Sequence, residues 1–440
     1  MRSSTDARPG AFRTDGQRLL GRLAELAAIG DTDDGGCCRL ALTDADRLGR
    51  DLVVTWMREL GLQVSIDGIG NVVGLWATGA GAPVMTGSHI DTVRTGGRYD
   101  GAYGVVAGLE AVETLKRADV TPARPLAVAF FTDEEGSRFP PDMLGSLVYA
   151  GGLALEEALD TQSIDGSRLG DDLERIGYAG PTPCPGLAPH AFVELHIEQG
   201  PVLEDEDVLI GAVTGVQGIS WQELTVRGQA NHAGTTPMAL RHDAGYVAAE
   251  LTTYARRLAL ELGGHQVATV GRMGLQPDLV NVVPKQAVLT VDLRNSDEGT
   301  LREAERRMTA RAAELAAAEG VTVEPRTLAR FEPVTFDEQV VGLVEQTARA
   351  LGHTVRRLPS GAGHDAQMLA RMCPTGMVFV PSVAGISHNP AEHTRPEHLV
   401  AGADVLLHTL LALTGRHEPD GGVATPAGSS GTAVAGGGRR

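Results

Sequence analysis

Four short polar clusters carry the residue types from which catalytic metal centres are built. They are Ser88-His89-Ile90-Asp91, Thr132-Asp133-Glu134-Glu135-Gly136-Ser137, His196-Ile197-Glu198-Gln199-Gly200 and Ser387-His388-Asn389-Pro390-Ala391-Glu392, with Asp100 a short way beyond the first. Brought together, His89, Asp100, Glu134, Glu135, His196 and His388 mix imidazole nitrogens with carboxylate oxygens, a donor set suited to divalent zinc, manganese or cobalt. The number of donors suggests two ions sharing one carboxylate. Such a pair can polarise a carbonyl and lower the pKa of a water between them, which suits hydrolysis of an unreactive amide. Adjacent Glu134 and Glu135 then point to one ligand and one general base, and the residues alone do not say which is which.

Each cluster by itself has an ordinary reading, a hydrogen-bonded pair for His89 and Asp91 and a solvated patch for the two glutamates. Their common position argues otherwise. All four follow apolar strand-like runs, "APVM", "PLAVAFF", "AFVEL" and "GMVFVP", and the carboxyl ends of strands in an open α/β sheet line its binding crevice. A serine hydrolase is the first competitor, but Gly385-Ile386-Ser387-His388-Asn389 has asparagine where the nucleophile elbow needs its second glycine. A binding protein that had lost catalysis would lack a base or a ligand, and all six residues are present.

The elements that must position these residues are legible as patterns. Leu19, Leu20, Leu23, Leu26 and Ala27 recur at helical spacing, and Thr43 opens a second helix as its cap. Apolar strands alternating with helices then indicate an α/β sheet covered on both faces. Between about Gly211 and Arg330 the order becomes strand, helix, strand, strand, helix, strand, the split β-α-β-β-α-β arrangement. There Ala287, Leu289, Val291 and Leu293 alternate with polar or lesser neighbours, as in a sheet covered by helices on one side. The expected organisation is a catalytic domain in two parts, 1–212 and 331–414, interrupted by a smaller unit at 213–330. A Gly-, Ala-, Ser- and Pro-rich tail, 415–440, is expected to be disordered.

Composition narrows the partners. A chain of 440 residues exceeds what a single core usually organises. A formal net charge of −18 argues against a nucleic-acid or anionic-membrane surface, yet leaves room for a small anion in a local cationic pocket. No apolar stretch approaches the roughly 20 residues that span a bilayer, and the first residues lack the apolar core of a secretory signal, so a cytoplasmic location is expected. Cys37, Cys38, Cys184 and Cys373 contain no C-x-x-C pair and read as reduced thiols.

With these residues in view, the sequence resembles the hydantoinase/carbamoylase amidases. They are a branch of the dinuclear zinc aminoacylase and carboxypeptidase-like hydrolases that includes N-carbamoyl-L-amino acid hydrolases, β-ureidopropionases and allantoate amidohydrolases. The resemblance runs from about Leu19 to Leu413, through "GSHIDTVRTGGRYDGAYGVVAGLE", "FTDEEGSRF", "ELHIEQGPVLE", "NHAGTTPM", "NVVPKQAVLTVDLRN", "GAGHDAQ" and "SHNPAEHT".

It implies an α/β fold, a mixed-sheet zinc-hydrolase catalytic domain with an inserted ferredoxin-like lid that forms a homodimer. Two divalent ions are implied, zinc first, with manganese, cobalt or nickel as substitutes. His89 and His196 would bind one, Glu135 and His388 the other, and Asp100 both. Glu134 would be the general base, and Asp91 would orient His89.

Implied substrate contacts are Gln199, His232, Asn281, Arg294 and Gly363. Arg294 offers a planar fork for a carboxylate, Gly363 permits close backbone approach and His232 could donate to a developing oxyanion. The implied reaction cleaves the carbamoyl group of an N-carbamoyl-L-amino acid, releasing amino acid, carbon dioxide and ammonia. Allantoate or β-ureidopropionate hydrolysis is the near alternative and a zinc dipeptidase or aminoacylase the distant one. Gly96, Gly97, Gly101 and Gly104 are expected to fold the loop that returns Asp100 to His89. Arg138 and Phe139 are candidates for a bearing on substrate subclass.

Overall fold

The computed structural model describes residues 12–415. The tail expected to be disordered lies, beyond Gly415, outside the described residues.

A nine-stranded sheet carries the larger core. Its middle strands, Leu126–Phe131, Val84–His89, Ala191–Ile197 and Thr375–Val380, run parallel. Every residue in them is buried, which is why Leu126–Phe131 reads as a continuous apolar run with no alternation and why polar residues within its neighbours, such as Thr86, Ser88 and Glu194, are hydrogen-bonded. Antiparallel strands flank this centre: Val72–Trp76 and Gln63–Ile66 on one side, Ile210–Val216 on the other. Val355–Ser360 pairs parallel, and Val334–Thr335 antiparallel, to Ile210–Val216. The sheet is therefore mixed, as expected. Helix Ala102–Arg117 packs on Gly16–Ala27 and on Pro396–Thr414, Pro396–Thr414 packs in turn on Glu338–Ala350, and Ala102–Arg117 lies against Val84–His89. The helix Asp44–Glu59 starts at Thr43, whose hydroxyl accepts from the Asp46 N–H.

A second sheet has its own core. Met273–Gln276, Gln286–Asn295, Gly218–Arg227 and Thr322–Phe331 lie side by side, all antiparallel, with Val267–Thr269 also paired to Gln286–Asn295. Ala287, Leu289, Val291 and Leu293 are buried while their neighbours are only partly covered. They pack with residues such as Leu251 and Leu258 of helix Ala244–Leu262 and Leu301 and Met308 of helix Glu298–Glu319. The element order matches expectation with two differences. The run "QVATVGRMG" is broken into Val267–Thr269 and Met273–Gln276, and a small ribbon, Asn231–His232 paired with Val282–Val283, is added.

The chain leaves the larger sheet after Val216 and re-enters it at Val334, its direct partner. Val213 to Val216, expected in the inserted unit, thus belong to the larger sheet. All four cysteines are unpaired. No helix among the described residues is long and apolar enough to cross a membrane.

Candidate active site

The four clusters meet at the carboxyl ends of the middle strands. His89 ends its strand, His196 stands one residue before the end of Ala191–Ile197, and Glu134 and Glu135 follow Leu126–Phe131 through a turn at Asp133, where φ is 56°. His388 comes from the loop after Thr375–Val380. Asp100 is returned to this point by Gly101, whose φ is +62° and whose missing Cβ would fall 2.4 Å from the His89 ring. Any side chain there would both strain the backbone and displace the imidazole.

Asp100 is the centre of the geometry. Its Oδ1 lies 3.5 Å from His89 Nε2 and 3.2 Å from His196 Nε2, while its Oδ2 lies 3.3 Å from His388 Nε2. His388 Nε2 is also 3.2 Å from Glu135 Oε2, and His89 Nε2 is 3.4 Å from Glu134 Oε2. The two oxygens of one carboxylate therefore face different donor groups. The outer nitrogens are tied to main chain: His89 Nδ1 to the Asp91 carbonyl and His196 Nδ1 to the Ile197 carbonyl, each at 2.9 Å. These contacts turn each Nε2 towards the cluster, where His196 Nε2 also accepts from the Gly101 N–H at 3.1 Å.

Asp91 acts on two partners. Its carbonyl orients His89, while its carboxylate sits 3.9 Å from that ring and accepts instead from the Glu134 and Glu135 N–H groups, both at 3.3 Å. The side chain expected to steer the histidine thus steers the glutamate pair.

The electrostatics are those of a site short of positive charge. Burial opposes a charged His89, but Glu134, Asp100 and Asp91 hold its pKa well above the usual histidine range. Hydrogen bonds to Asp100 and Glu135 push His388 up to about 10. Burial would raise Asp100, yet its three histidine partners hold it well below the usual carboxylate range. Burial raises Glu134, and burial lifts Asp91 to about 6. Glu135 Oε1 is buried without a partner.

Two donor groups, His89 with Asp100 and His196, and Asp100 with Glu135 and His388, each gather their ligand atoms within 4.8 Å. Nitrogen and carboxylate donors, surplus negative charge and an orphaned carboxylate oxygen fit a pair of divalent cations.

The expected substrate contacts divide. Gln199 donates to Asp100 Oδ2 at 2.9 Å, and Gly363 lines the same cleft. Arg294 reaches from the smaller sheet to the Gly361 carbonyl at 3.1 Å, its guanidinium otherwise engaged by Asp292 at 3.0 to 3.2 Å. His232 and Asn281 sit together at the small ribbon, where the Ala233 N–H donates to the Asn281 carbonyl. Both are away from the cleft lining, and His232 is exposed. The structure thus does not place these two with the residues that line the cleft.

The family model "Peptidase family M20/M25/M40" matches residues 85–412. The chain belongs to that family, in its hydantoinase/carbamoylase branch. An amidase of that branch from Burkholderia multivorans is 45% identical in sequence and superposes with a TM-score of 0.90, covering 92% of this chain and 99% of the other. The N-carbamoyl-L-amino-acid amidohydrolase of Rhizobium meliloti is 41% identical over 91% of this chain and 96% of its own length. The ureidoglycolate hydrolase of Arabidopsis thaliana is 34% identical over 92% and 88% respectively. As a member of this family the chain is an amidohydrolase.

Sequence reasoning missed several residues in and beside this amidohydrolase cleft, His364 and Asp142 in its lining and Glu194 beneath His196 on the same strand. Glu194 lies two positions before His196 on one strand face and bonds to Ser88 Oγ at 2.6 Å and the Ala366 N–H at 2.8 Å. A glutamate inside a wholly buried strand was a usable signal, since such a group must have partners. His364 packs edge-on against His196, with ring centroids 4.7 Å apart, and bonds to Ser360 Oγ. Asp142 lines the cleft beside Gly363, and burial raises its carboxyl group. Its loop, Pro140-Pro141-Asp142, carries no pattern that announces it.

Arg138 and Phe139 have a structural task. Buried Arg138 donates to Asp172 at 2.8 Å, Ser167 Oγ at 3.2 Å and the Ala41 carbonyl at 3.0 Å, and Phe139 is fully buried. Neither lines the cleft.

Proposed function

We propose that this amidohydrolase cleaves the carbamoyl C–N bond of N-carbamoyl-L-amino acids, giving the free amino acid, carbon dioxide and ammonia. The observation that carries the proposal is Asp100 shared between two donor groups beside Glu134. The similarity to the Rhizobium meliloti amidohydrolase supports the substrate class.

His89 and His196 would hold one divalent ion, Glu135 and His388 the other, with Asp100 between them and zinc the expected metal. When bound, such a pair polarises a carbonyl and lowers the pKa of water. Glu134 accepts a proton from the attacking water and delivers it to the leaving nitrogen. Asp91 fixes the direction of Glu134 through its N–H. Gln199 and Gly363 border the substrate, and the remaining donors of Arg294 anchor its carboxylate, an orientation effect that aligns the scissile bond.

Residues 213–330 act, on this reading, as a ferredoxin-like lid and dimerisation unit, with 1–212 and 331–414 forming the catalytic domain. Met238, Leu240, Leu279 and Val280, near His232 and Asn281 in sequence, are each more than half exposed, and apolar groups gathered at a surface mark contact sites. In a homodimer, His232 and Asn281 would serve a cleft from this ribbon, with His232 donating to the oxyanion. Four unpaired cysteines accord with a cytoplasmic location.

The test is an ammonia-release assay on metal-reconstituted enzyme. It compares N-carbamoyl-L-α-amino acids with N-carbamoyl-β-alanine, allantoate, ureidoglycolate and dipeptides. The expected result is a kcat/KM for the best N-carbamoyl-L-α-amino acid at least about tenfold above every other class. Preference for allantoate, ureidoglycolate or a dipeptide would overturn the assignment. Arg294→Ala is expected to raise KM for a carboxylated substrate roughly 10- to 100-fold, the loss of a charge-assisted contact of about 1.5–3 kcal/mol. An unaltered KM would remove Arg294 from the anchor.

A further inference from the structure

The two donor groups are unequally supported. The side chains of His89 and His196 are each 1% exposed, whereas His388 is 50% exposed. His388 also sits on a loop with a left-handed backbone, φ 53°, outside any helix or strand. Something must hold that loop against the one carrying Asp100.

Glu392 does so. It is 5% exposed and wedged between the two loops. Its Oε1 accepts from the Tyr99 N–H at 3.0 Å and the Asp100 N–H at 3.2 Å, and its Oε2 accepts from Ser387 Oγ at 2.8 Å. Ser387 Oγ also lies 3.3 Å from Asp100 Oδ2. A Cβ on Gly97 would fall 2.1 Å from Glu392 Oε1, so this glycine leaves the carboxylate its room. Two main-chain N–H groups and a hydroxyl are a full set of donors for a buried acid. Apart from Glu392, the loops meet through longer contacts of 3.3 Å each, Ser387 Oγ and His388 Nε2 to Asp100 Oδ2 and Thr95 Oγ1 to the His388 carbonyl.

We propose that Glu392 is a positioning residue, a latch that joins the Asp100 loop to the His388 loop and thereby sets the affinity of the more exposed cation site. It touches neither substrate nor cation. Its effect runs through the main chain of Asp100 and through Ser387, the neighbour of His388. This inference rests on the two-cation reading above and adds to it an order, a strong site at His89 and His196 and a weaker one dependent on the latch. Positioning groups of this kind change metal affinity about 10- to 100-fold when removed.

The experiment titrates chelator-stripped full-length protein with Co2+, following bound metal per chain and the visible Co2+ absorption. The wild-type chain is expected to take up two ions. Glu392→Ala should bind the first as tightly as the wild type and the second about 10- to 100-fold more weakly. Glu392→Gln should restore the second site to within about threefold, since an amide oxygen can accept both N–H groups and its NH2 can donate to Ser387 Oγ.

Equal second-site affinity in Glu392→Ala, or equal weakening of both sites, overturns the latch. So does a glutamine variant that behaves like alanine. Uptake of fewer than two ions by the wild type overturns the two-cation reading itself, a distinct result. Should Glu392→Ala fail to fold by circular dichroism, Ser387→Ala carries the test. A selectively weakened second site then supports the latch, and an unchanged one refutes it.

Discussion

Glu134→Gln is expected to lower kcat by about 10²- to 10⁴-fold while leaving bound metal unchanged, the range general-base catalysis contributes. Glutamine keeps the volume of glutamate and a carbonyl oxygen, but it cannot accept the proton of the attacking water. The position is fixed from both sides of its own backbone: its N–H donates to Asp91 Oδ1 at 3.3 Å, and its carbonyl accepts from the Met143 N–H at 2.7 Å. A substitution confined to the carboxyl group therefore changes chemistry without moving the chain. Steady-state kinetics with metal analysis on the same preparation checks it. Retention of wild-type kcat would take the base role from Glu134, and loss of metal would reassign it as a ligand.

Asp46→Ala is expected to cost about 3–5 kcal/mol of stability, because it strands a buried guanidinium. Asp46 and Arg50 are both fully buried, with Asp46 Oδ2 2.7 Å from Arg50 Nε and 2.7 Å from the Leu42 N–H. Arg50 also donates to the Gly70 carbonyl at 2.7 Å and to Thr132 Oγ1 at 3.2 Å. Its charged plane stands over the rings of Phe130 and Tyr178, at 5.6 and 5.3 Å. Thr132 begins the turn that carries Glu134, so the pair braces that turn. By contrast, Arg168 and Asp160 are 49% and 74% exposed at 2.9 Å, and removing Asp160 should cost less than about 1 kcal/mol. Urea unfolding of both variants decides between these figures. A loss below about 1 kcal/mol for Asp46→Ala would show that Arg50 finds water when its partner goes.

The sequence made legible whatever rests on periodicity or on local chemistry. Thr43 as a cap, the buried face of Ala287, Leu289, Val291 and Leu293, and the positions of His89, Glu134, Glu135 and His196 at strand ends all follow from patterns within a few residues. Short strands such as Gln63–Ile66 and Val355–Ser360 do not stand out, since their burial is partial and the partner of Val355–Ser360, Ile210–Val216, is distant in sequence. Glu392 lies within a recognisable motif, but its task is not legible there, because its partners are Tyr99 and Asp100, nearly three hundred positions away. His232 and Asn281 show the converse: the chemistry of the residues is visible, but where they act depends on the ribbon that carries them.

The pairing of Val216 with Val334 has a consequence for the chain as a whole. These antiparallel neighbours are what the two arms of a hairpin would be, and everything from 217 to 333 stands where a tight turn would suffice. The smaller sheet, with its own core, is in topological terms an overgrown hairpin loop. Because closure entropy rises only slowly with loop length, so large an elaboration burdens the parent sheet little more than a long loop would. The larger sheet can therefore be rejoined across Val216 and Val334 without altering the order of its strands.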